Sequence, residues 1–391
     1  MKYIPYGRHK IDNMDIREVV KVLRSDWITQ GQKVNEFENR LAEYCGAKYA
    51  VVVSSGTAAL HIAALAAGIK PGNEVITSPI TFVASANCVL YCGGNPVFVD
   101  VERDTANIDI EKIENSITHR TKAIIPIHFA GHPCDLEKIK KIANNYKLIV
   151  IEDAAHALGA RYKDYKIGSC RYSDMTIFSF HPVKAITTGE GGAILTNSKK
   201  LYERFILLRN HGITKEPKKF INPNGLFYNT DLWYYEMQSL GFNYRITDIQ
   251  ATLGISQLRK LDKFIYRRRE IAVIYSRLFR DNPYFDIPLE KEYAYSAYHL
   301  YPIRLKKGYK DKRQKIFLTI RSKGLGIQIH YIPVYLQPYY KMLGFKKGIC
   351  PNAEDFYNSE ISINIYPGLK DFQIRRIAKI ILNACRVSVK Q

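Results

Sequence analysis

Several things are scarce in this sequence, and each scarcity removes a class of answer. No apolar run in the 391 residues approaches the roughly 18 needed to cross a bilayer, so no membrane partner is expected. The opening MKYIPYGRHK lacks the apolar core of a secretory leader, which makes the cytoplasm the expected location. The seven cysteines are scattered, odd in number and without a CxxC pair. That pattern argues against both a disulfide framework and a structural zinc site, and no metal is expected. Cys88 and Cys92 could share a helix face, where small thiols commonly do no more than pack. Internal repeats and low-complexity segments are absent.

Acidic residues are also in short supply, with 37 against 58 Lys and Arg, for a formal charge of +21. Such an excess invites a nucleic-acid reading. No zinc-finger spacing or RNP-like aromatic motif accompanies it, however, and the basic residues form only short knots, YRRRE at 266–270 and KKGYKDKRQK at 306–315. A solvated face accounts for each knot, an anionic small substrate would use the same charge, and no nucleic-acid partner is expected.

What the sequence does contain is enough apolar chain for more than one core, since 391 residues exceed the size at which a single core stops growing. From residue 46 to about 210, short runs apolar throughout alternate with helix-like segments: KYAVVV and a helix from Gly56, EVITSP and a helix near 82–91, NPVFVDV, KAIIPIHF and DLEKIKKIANNYK, LIVIED, DMTIFSF and GGAILTN. Runs of that kind suit strands buried on both faces of a mostly parallel sheet flanked by helices, an α/β architecture. Residues 213–242, rich in aromatics, Asn, Gly and Pro, read as a long ordered loop. A long helix is expected from about Thr247 to Arg280, with Thr247 and Asp248 as its capping residues. Beyond NPYFDIP the pattern becomes a smaller α+β unit containing YHLYPIRL, a helix over 310–322, IQIHYIPV and a last helix near 371–386. The expected division is a large domain over 1–250, whose first residues could pack on the small one, and a long helix with a small C-terminal domain over 251–391.

Ligands of open parallel sheets sit beyond the carboxyl ends of the strands, and three such places carry chemistry together. In VVVSSGTAAL a strand runs through Ser-Ser-Gly-Thr into a helix, whose free N–H groups around Gly56, Thr57 and Ala58 could hold a phosphate. The same residues also read as a plain helix cap. LIVIEDAAHALGA delivers Asp153 at the end of an apolar strand, where a carboxylate is costly without a partner, although an Asp there can also be a cap. His156 follows and could orient a ligand or simply pack. In FSFHPVKAITTGEGG, Ser179 ends a strand and Lys184 lies on the next turn. A buried amine there would lose its proton and become a nucleophile suited to imine formation with a carbonyl. Glycines 189, 191 and 192 would let the backbone pass close to a bulky planar group, though GEGG can also be only a turn. A phosphate cradle, a carboxylate and a nucleophilic lysine on successive strand ends are together what pyridoxal 5'-phosphate requires of a protein.

The chain resembles the sugar aminotransferase family of fold-type-I pyridoxal phosphate enzymes, the DegT/DnrJ/EryC1/StrS type. The likeness runs through SDWITQG, SSGTAAL, SPITFVASAN, EDAAHALGA, SFHPVKAITTGEGG, RNHGI, LGFNYRITDIQATLG and IHYIPVY. It implies an aspartate-aminotransferase-like fold with a large, mostly parallel sheet domain and a smaller α+β C-terminal domain. By the same likeness Lys184 carries the cofactor and moves the proton, Asp153 pairs with the pyridine nitrogen, and Phe82 stacks on the ring. Thr57, Ala58 and Ser179 hold the phosphate, Asn243 reaches the phosphate of a partner subunit, and His156 lies beside the cofactor. Tyr6, Thr29, His330 and Tyr331 fall at the sugar. The implied reaction moves an amino group from L-glutamate to C4 of a UDP-linked 4-keto-6-deoxy-N-acetylhexosamine, in a homodimer with shared active sites. Lysine at 184, where a dehydratase branch has histidine, favours amination. The extra residues around FINPNGLFYNTDLW depart from the family pattern. C3 amination or another nucleotide-linked sugar is an alternative, and so is a non-catalytic DNA-binding regulator on the same fold.

Overall fold

A computed structural model describes residues 3–221 and 233–387. The polypeptide begins with helices α1 (Asn13–Leu23) and α2 (Gln32–Cys45), which the apolar-run reading of the sequence did not anticipate. The alternation then follows as β1 (Tyr49–Val53), α3 (Gly56–Ala66), β2 (Glu74–Thr77), α4 (Ala84–Tyr91), β3 (Asn95–Phe98), β4 (Thr121–Ile125), α5 (Leu136–Tyr146), β5 (Ile149–Asp153), β6 (Met175–Ser179) and β7 (Gly192–Thr196). These seven strands form one sheet in the order β1-β7-β6-β5-β4-β2-β3. Strands β3, β2, β4, β5 and β6 run parallel, and only β7 is antiparallel to its neighbours β6 and β1. β2 and β7 are buried along their whole length, as expected of strands covered on both faces.

Reversal of β7 brings a strand start to the edge where its neighbours end. Gly192 pairs with Val53 on one side and with Ser179 on the other. The carboxyl ends of β1, β5 and β6 therefore share one rim with the first residue of β7, and the loop carrying Lys184 leaves and re-enters the sheet at that rim.

After α6 (Lys199–Arg209), the expected helix over 247–280 is two helices, α7 (Asp248–Leu258) and α8 (Leu261–Leu278). Thr247 caps the first in a reciprocal capping box with Gln250. Neither Pro nor Gly marks the break. There Lys260 turns aside, and its Nζ lies 2.9 Å from Asp12 and 2.5 Å from the buried Asp15, tying α1 to the α7–α8 junction.

The smaller unit has a three-stranded antiparallel sheet of β8 (Phe285–Asp286), β9 (Tyr301–Leu305) and β10 (Glu360–Ile363), with β9 central. Helices α9 (Arg313–Ser322) and α10 (Asp371–Val387) pack on it, and Ile4 from the N-terminal segment joins their apolar core. IQIHYIPV is not a strand of this sheet. It makes one bridge, Gln328 to Ser362, and EISI takes the third position in the sheet instead.

Within the expected loop at 213–242 a short ribbon forms, Ile213–Thr214 against Glu236–Met237, while residues 222–232 lie outside the described part. All seven cysteines are buried and unpaired, and Cys88 and Cys92 pack in one apolar cluster with α3 and α4. Among the described residues no helix is long and apolar enough to cross a membrane.

Candidate active site

At the rim of the large sheet, facing the smaller unit, lies a cavity of about 470 Å³. Its walls include Thr57, Phe82, Asp153, His156, Ser179 and Lys184 from the large unit, Tyr6 from the N-terminal segment, and His330 and Tyr331 from the small one. Nine of the residues singled out from the sequence thus meet in one place. Three do not line it. Ala58 is buried within α3, and its N–H already donates to Ser55 Oγ at 3.1 Å. Thr29 is exposed and bridges Thr247, and Asn243 is exposed and bridges Asn210.

The cradle at the start of α3 depends on two glycines. A Cβ on Gly192 would stand 2.5 Å from the backbone carbon of Ser55, and one on Gly56 would stand 2.9 Å from Ser179 Cβ. Without side chains there, β7 and the Ser179 turn close against the helix N-terminus, where unpaired N–H groups and the helix dipole favour an anion. Gly192 serves the packing of β7 against Ser55 and Gly56, which line the cavity, and Gly191 abuts Thr188.

Asp153 is buried at the end of β5. Its Oδ2 accepts from Ser85 Oγ at 2.6 Å, and its Oδ1 accepts the N–H of Ala155 at 3.1 Å. Ser85 in turn lies 2.7 Å from Thr81 Oγ1, so two hydroxyls stand in line behind the carboxylate. Neither hydroxyl was picked out in the sequence, although their spacing of one helical turn in ITFVASAN was a usable signal.

Lys184 sits on the turn between β6 and β7, and among the described residues its Nζ has no hydrogen-bond or ion-pair partner. Burial brings its amine down to about 8, against a smaller opposing pull from the Asp153 charge. A substantial fraction is thereby neutral near physiological pH, as a nucleophile or proton carrier must be.

Histidines complete the wall. The rings of His156 and His299 lie 4.2 Å apart, and burial holds both imidazoles well below their usual range. His156 Nε2 lies 3.3 Å from Tyr331 Oη, while its buried Nδ1 has no partner. A buried polar atom left unpaired beside a cavity is costly and marks a place for a ligand group. Phe82 is 60% exposed at the mouth, with its ring free to cover something bound beneath. The donor set fits pyridoxal 5'-phosphate: an anion cradle, a buried carboxylate held by a hydroxyl, an amine that burial makes easier to deprotonate and an exposed aromatic face around one cavity.

Comparison with known proteins gives the same picture. The sequence matches the DegT/DnrJ/EryC1/StrS aminotransferase family over residues 9–382. It is 40% identical over 364 residues to a UDP-4-amino-4,6-dideoxy-N-acetyl-beta-L-altrosamine transaminase of Campylobacter jejuni, covering 92% of each chain. Helicobacter pylori PseC, an aminotransferase involved in the biosynthesis of pseudoaminic acid, shares the fold with a TM-score of 0.91 at 36% identity, over 99% of this chain and 100% of that one. The PLP-form of Spr1654 from Streptococcus pneumoniae matches with a TM-score of 0.91 at 30% identity, over 99% of both chains.

Proposed function

This chain belongs to the DegT/DnrJ/EryC1/StrS aminotransferase family, and from that premise we propose that it moves an amino group from L-glutamate to C4 of a UDP-linked 4-keto-6-deoxy-N-acetylhexosamine. The product would be UDP-4-amino-4,6-dideoxy-N-acetyl-β-L-altrosamine, a step toward pseudaminic acid. Support for this sugar comes from the Campylobacter jejuni transaminase and from Helicobacter pylori PseC. The cofactor is pyridoxal 5'-phosphate.

The observation that carries the reaction class is the meeting of Lys184, Asp153 and the α3 N-terminus in one cavity. When bound, the cofactor supplies an aldehyde that takes up the amino group and a ring that withdraws electrons from the reacting carbon. Lys184, on the loop between β6 and β7, would tether it and carry the proton between carbons as general base and acid. Asp153 would keep the pyridine nitrogen protonated, with Ser85 fixing the carboxylate that does so. Thr57, Ser179 and the free N–H groups of the first turn of α3 would hold the phosphate, with Ala58 contributing through its place in that turn. Phe82 would cover one face of the ring and His156 would lie beside it.

Tyr6, His330 and Tyr331 would bound the sugar, since they line the cavity from the N-terminal segment and the smaller unit. Asn243 and Thr29 would serve a second copy of the chain, because both are exposed outside their own cavity. A homodimer with shared sites follows from that assignment. The large exposed apolar residues Trp27, Ile28 and Leu23 near Thr29 support such a face.

The test gives cofactor-loaded protein L-glutamate and the UDP-linked 4-keto sugar and identifies the product by mass spectrometry and NMR, beside Lys184→Ala. An amino sugar formed only by the wild type supports the reading. Turnover confined to a 3-keto or differently activated sugar moves the substrate. Tight duplex DNA binding at physiological salt with no turnover of any keto sugar would replace the enzyme with a regulator.

A further inference from the structure

Behind the cavity, β10 carries a row of polar groups. Glu360, Ser362 and Asn364 alternate with Ile361, Ile363 and Ile365, and all three polar residues are fully buried. Asn364 is taken up by the N-terminal segment and its neighbour, donating to the carbonyls of Ile4, Pro5 and Gly326. Glu360 and Ser362 lead instead to the cavity. Glu360 Oε2 accepts the backbone N–H of His330 at 2.8 Å, and Oε1 lies 2.5 Å from Ser362 Oγ. That hydroxyl lies 2.9 Å from His330 Nδ1. His330 lines the cavity, and its Nε2 has no protein partner among the described residues.

A hydroxyl has one proton to give, so this chain can run in only two directions. With Glu360 ionised, Ser362 donates to the carboxylate and accepts from Nδ1–H, leaving Nε2 as an acceptor. With Glu360 protonated, its O–H donates to Ser362, Ser362 donates to Nδ1, and Nε2 carries the proton into the cavity. The surroundings decide between them. No cation forms an ion pair with Glu360 among the described residues: Arg313 of α9 donates to the Tyr357 carbonyl, and Arg304, opposite on β9, donates to the Arg103 carbonyl. Tyr331 is a further titratable neighbour, and it is neutral. Burial without a paired cation lifts the Glu360 carboxyl to about 8. Burial and the Lys184 charge hold His330 down to about 4, so its imidazole is neutral and only its tautomer is open to choice.

We propose that Glu360, acting through Ser362, fixes the proton of His330 on Nε2, so that His330 offers the cavity a hydrogen-bond donor for an oxygen of the sugar or of the amino-acid substrate. Glu360 and Ser362 are positioning residues, because they touch His330 and not the reactants. The tautomer follows from the hydrogen-bond chain together with the burial of Glu360 away from any paired cation among the described residues, whereas the identity of the acceptor rests on reading the cavity as the cofactor and sugar site.

The test uses the full-length, cofactor-loaded enzyme with 15N-labelled histidine, His330 being assigned by loss of its signals in His330→Asn. At pH 7 the wild type should carry the proton on Nε2. Glu360→Gln, whose amide N–H donates to Ser362 as the carboxyl O–H does, should keep it there. Ser362→Ala, which removes only the relaying hydroxyl, should release the preference and raise the KM of one substrate about tenfold, the scale of one hydrogen bond, with the cofactor absorption band unchanged. A rise for the sugar or for glutamate names which oxygen is bound, and either supports the proposal. Wild-type His330 protonated on Nδ1 would overturn it, as would Ser362→Ala with tautomer and both KM values unchanged. Failure of the wild type to turn over any keto sugar would remove the functional reading while the nitrogen shifts still report the tautomer.

Discussion

Ser85 Oγ donates to Asp153 Oδ2 across 2.6 Å, joining the first turn of α4 to the end of β5. A hydrogen bond to an ionised group that is buried fixes both its orientation and its charge. Ser85→Ala should therefore slow the reaction with glutamate about ten- to a hundredfold, the worth of one such bond, with the fold intact. Asp153→Asn should slow it further, because the amide cannot hold the proton on the ring nitrogen. Stopped-flow absorbance of the cofactor after mixing with glutamate checks both, and an undiminished rate in Asp153→Asn would remove that role.

Lys184→Ala should lower turnover at least about a thousandfold, the upper part of the range for a lost general acid–base group, and abolish the covalent tether. The absorption spectrum of the protein with added cofactor, before and after borohydride reduction, distinguishes tethered from merely bound cofactor. Tethered cofactor in the Ala variant would move the nucleophile elsewhere.

The same amine makes cofactor capture dependent on pH. Only neutral lysine attacks an aldehyde, and burial places Lys184 at about 8. The rate of cofactor attachment should rise from pH 6 through about 8 and then level off. Rapid-mixing measurements across that range test this, and a flat profile would contradict it.

A stability effect with a defined sign accompanies that shift. Folded Lys184 titrates at about 8 and the free side chain at 10.5, so the unfolded chain binds more protons between those values. Stability of the cofactor-free protein should rise with pH across that window. Lys184→Met should stabilise the cofactor-free protein at pH 7 by about 3 kcal/mol, the gain fading toward pH 10.5. Urea unfolding of both proteins at several pH values reads the difference.

Gly192→Ala should disturb the cradle, since its Cβ would stand 2.5 Å from the Ser55 carbonyl carbon and oxygen. Overpacking against backbone that cannot rotate away costs about 1–3 kcal/mol or more. Cofactor affinity should fall together with stability, measured by fluorescence titration and thermal unfolding. Gly189→Ala tests the other kind of glycine constraint, because its φ of +82° is strained for alanine while no atom lies within 4 Å of the added carbon.

The large sheet was legible in the sequence because its strands are apolar throughout, as in LIVIED and GGAILTN, and each is followed by a chemically distinctive residue. Lys184, Asp153 and Thr57 stood out for that reason. Helices α1 and α2 were missed because their apolar residues form a narrow stripe among charges, as in NMDIREVVKVL. The break at Lys260 was hidden because an ion pair with Asp12 and Asp15 marks it, and no helix-breaking residue does. β10 was missed because Glu360 and Ser362 interrupt its apolar pattern. Read at a period of two, EISINI has one apolar and one polar face, but only the fold shows that the polar face looks toward His330. Ser85 likewise gains its meaning from Asp153, a partner far away in sequence.

The reversed strand β7 also sets an order of events during synthesis. β1 lies at the sheet edge and has β7 as its only neighbour there, through pairs such as Val53 with Gly192. While the chain emerges from the ribosome, the anion cradle beside Ser55 lacks its second wall until β7 has been made. By then the loop bearing Lys184 has already emerged, so the lysine and the cradle are completed in a single act of strand insertion. The growing chain has no stage before residue 192, about halfway along its length, at which it could hold a phosphate against both walls.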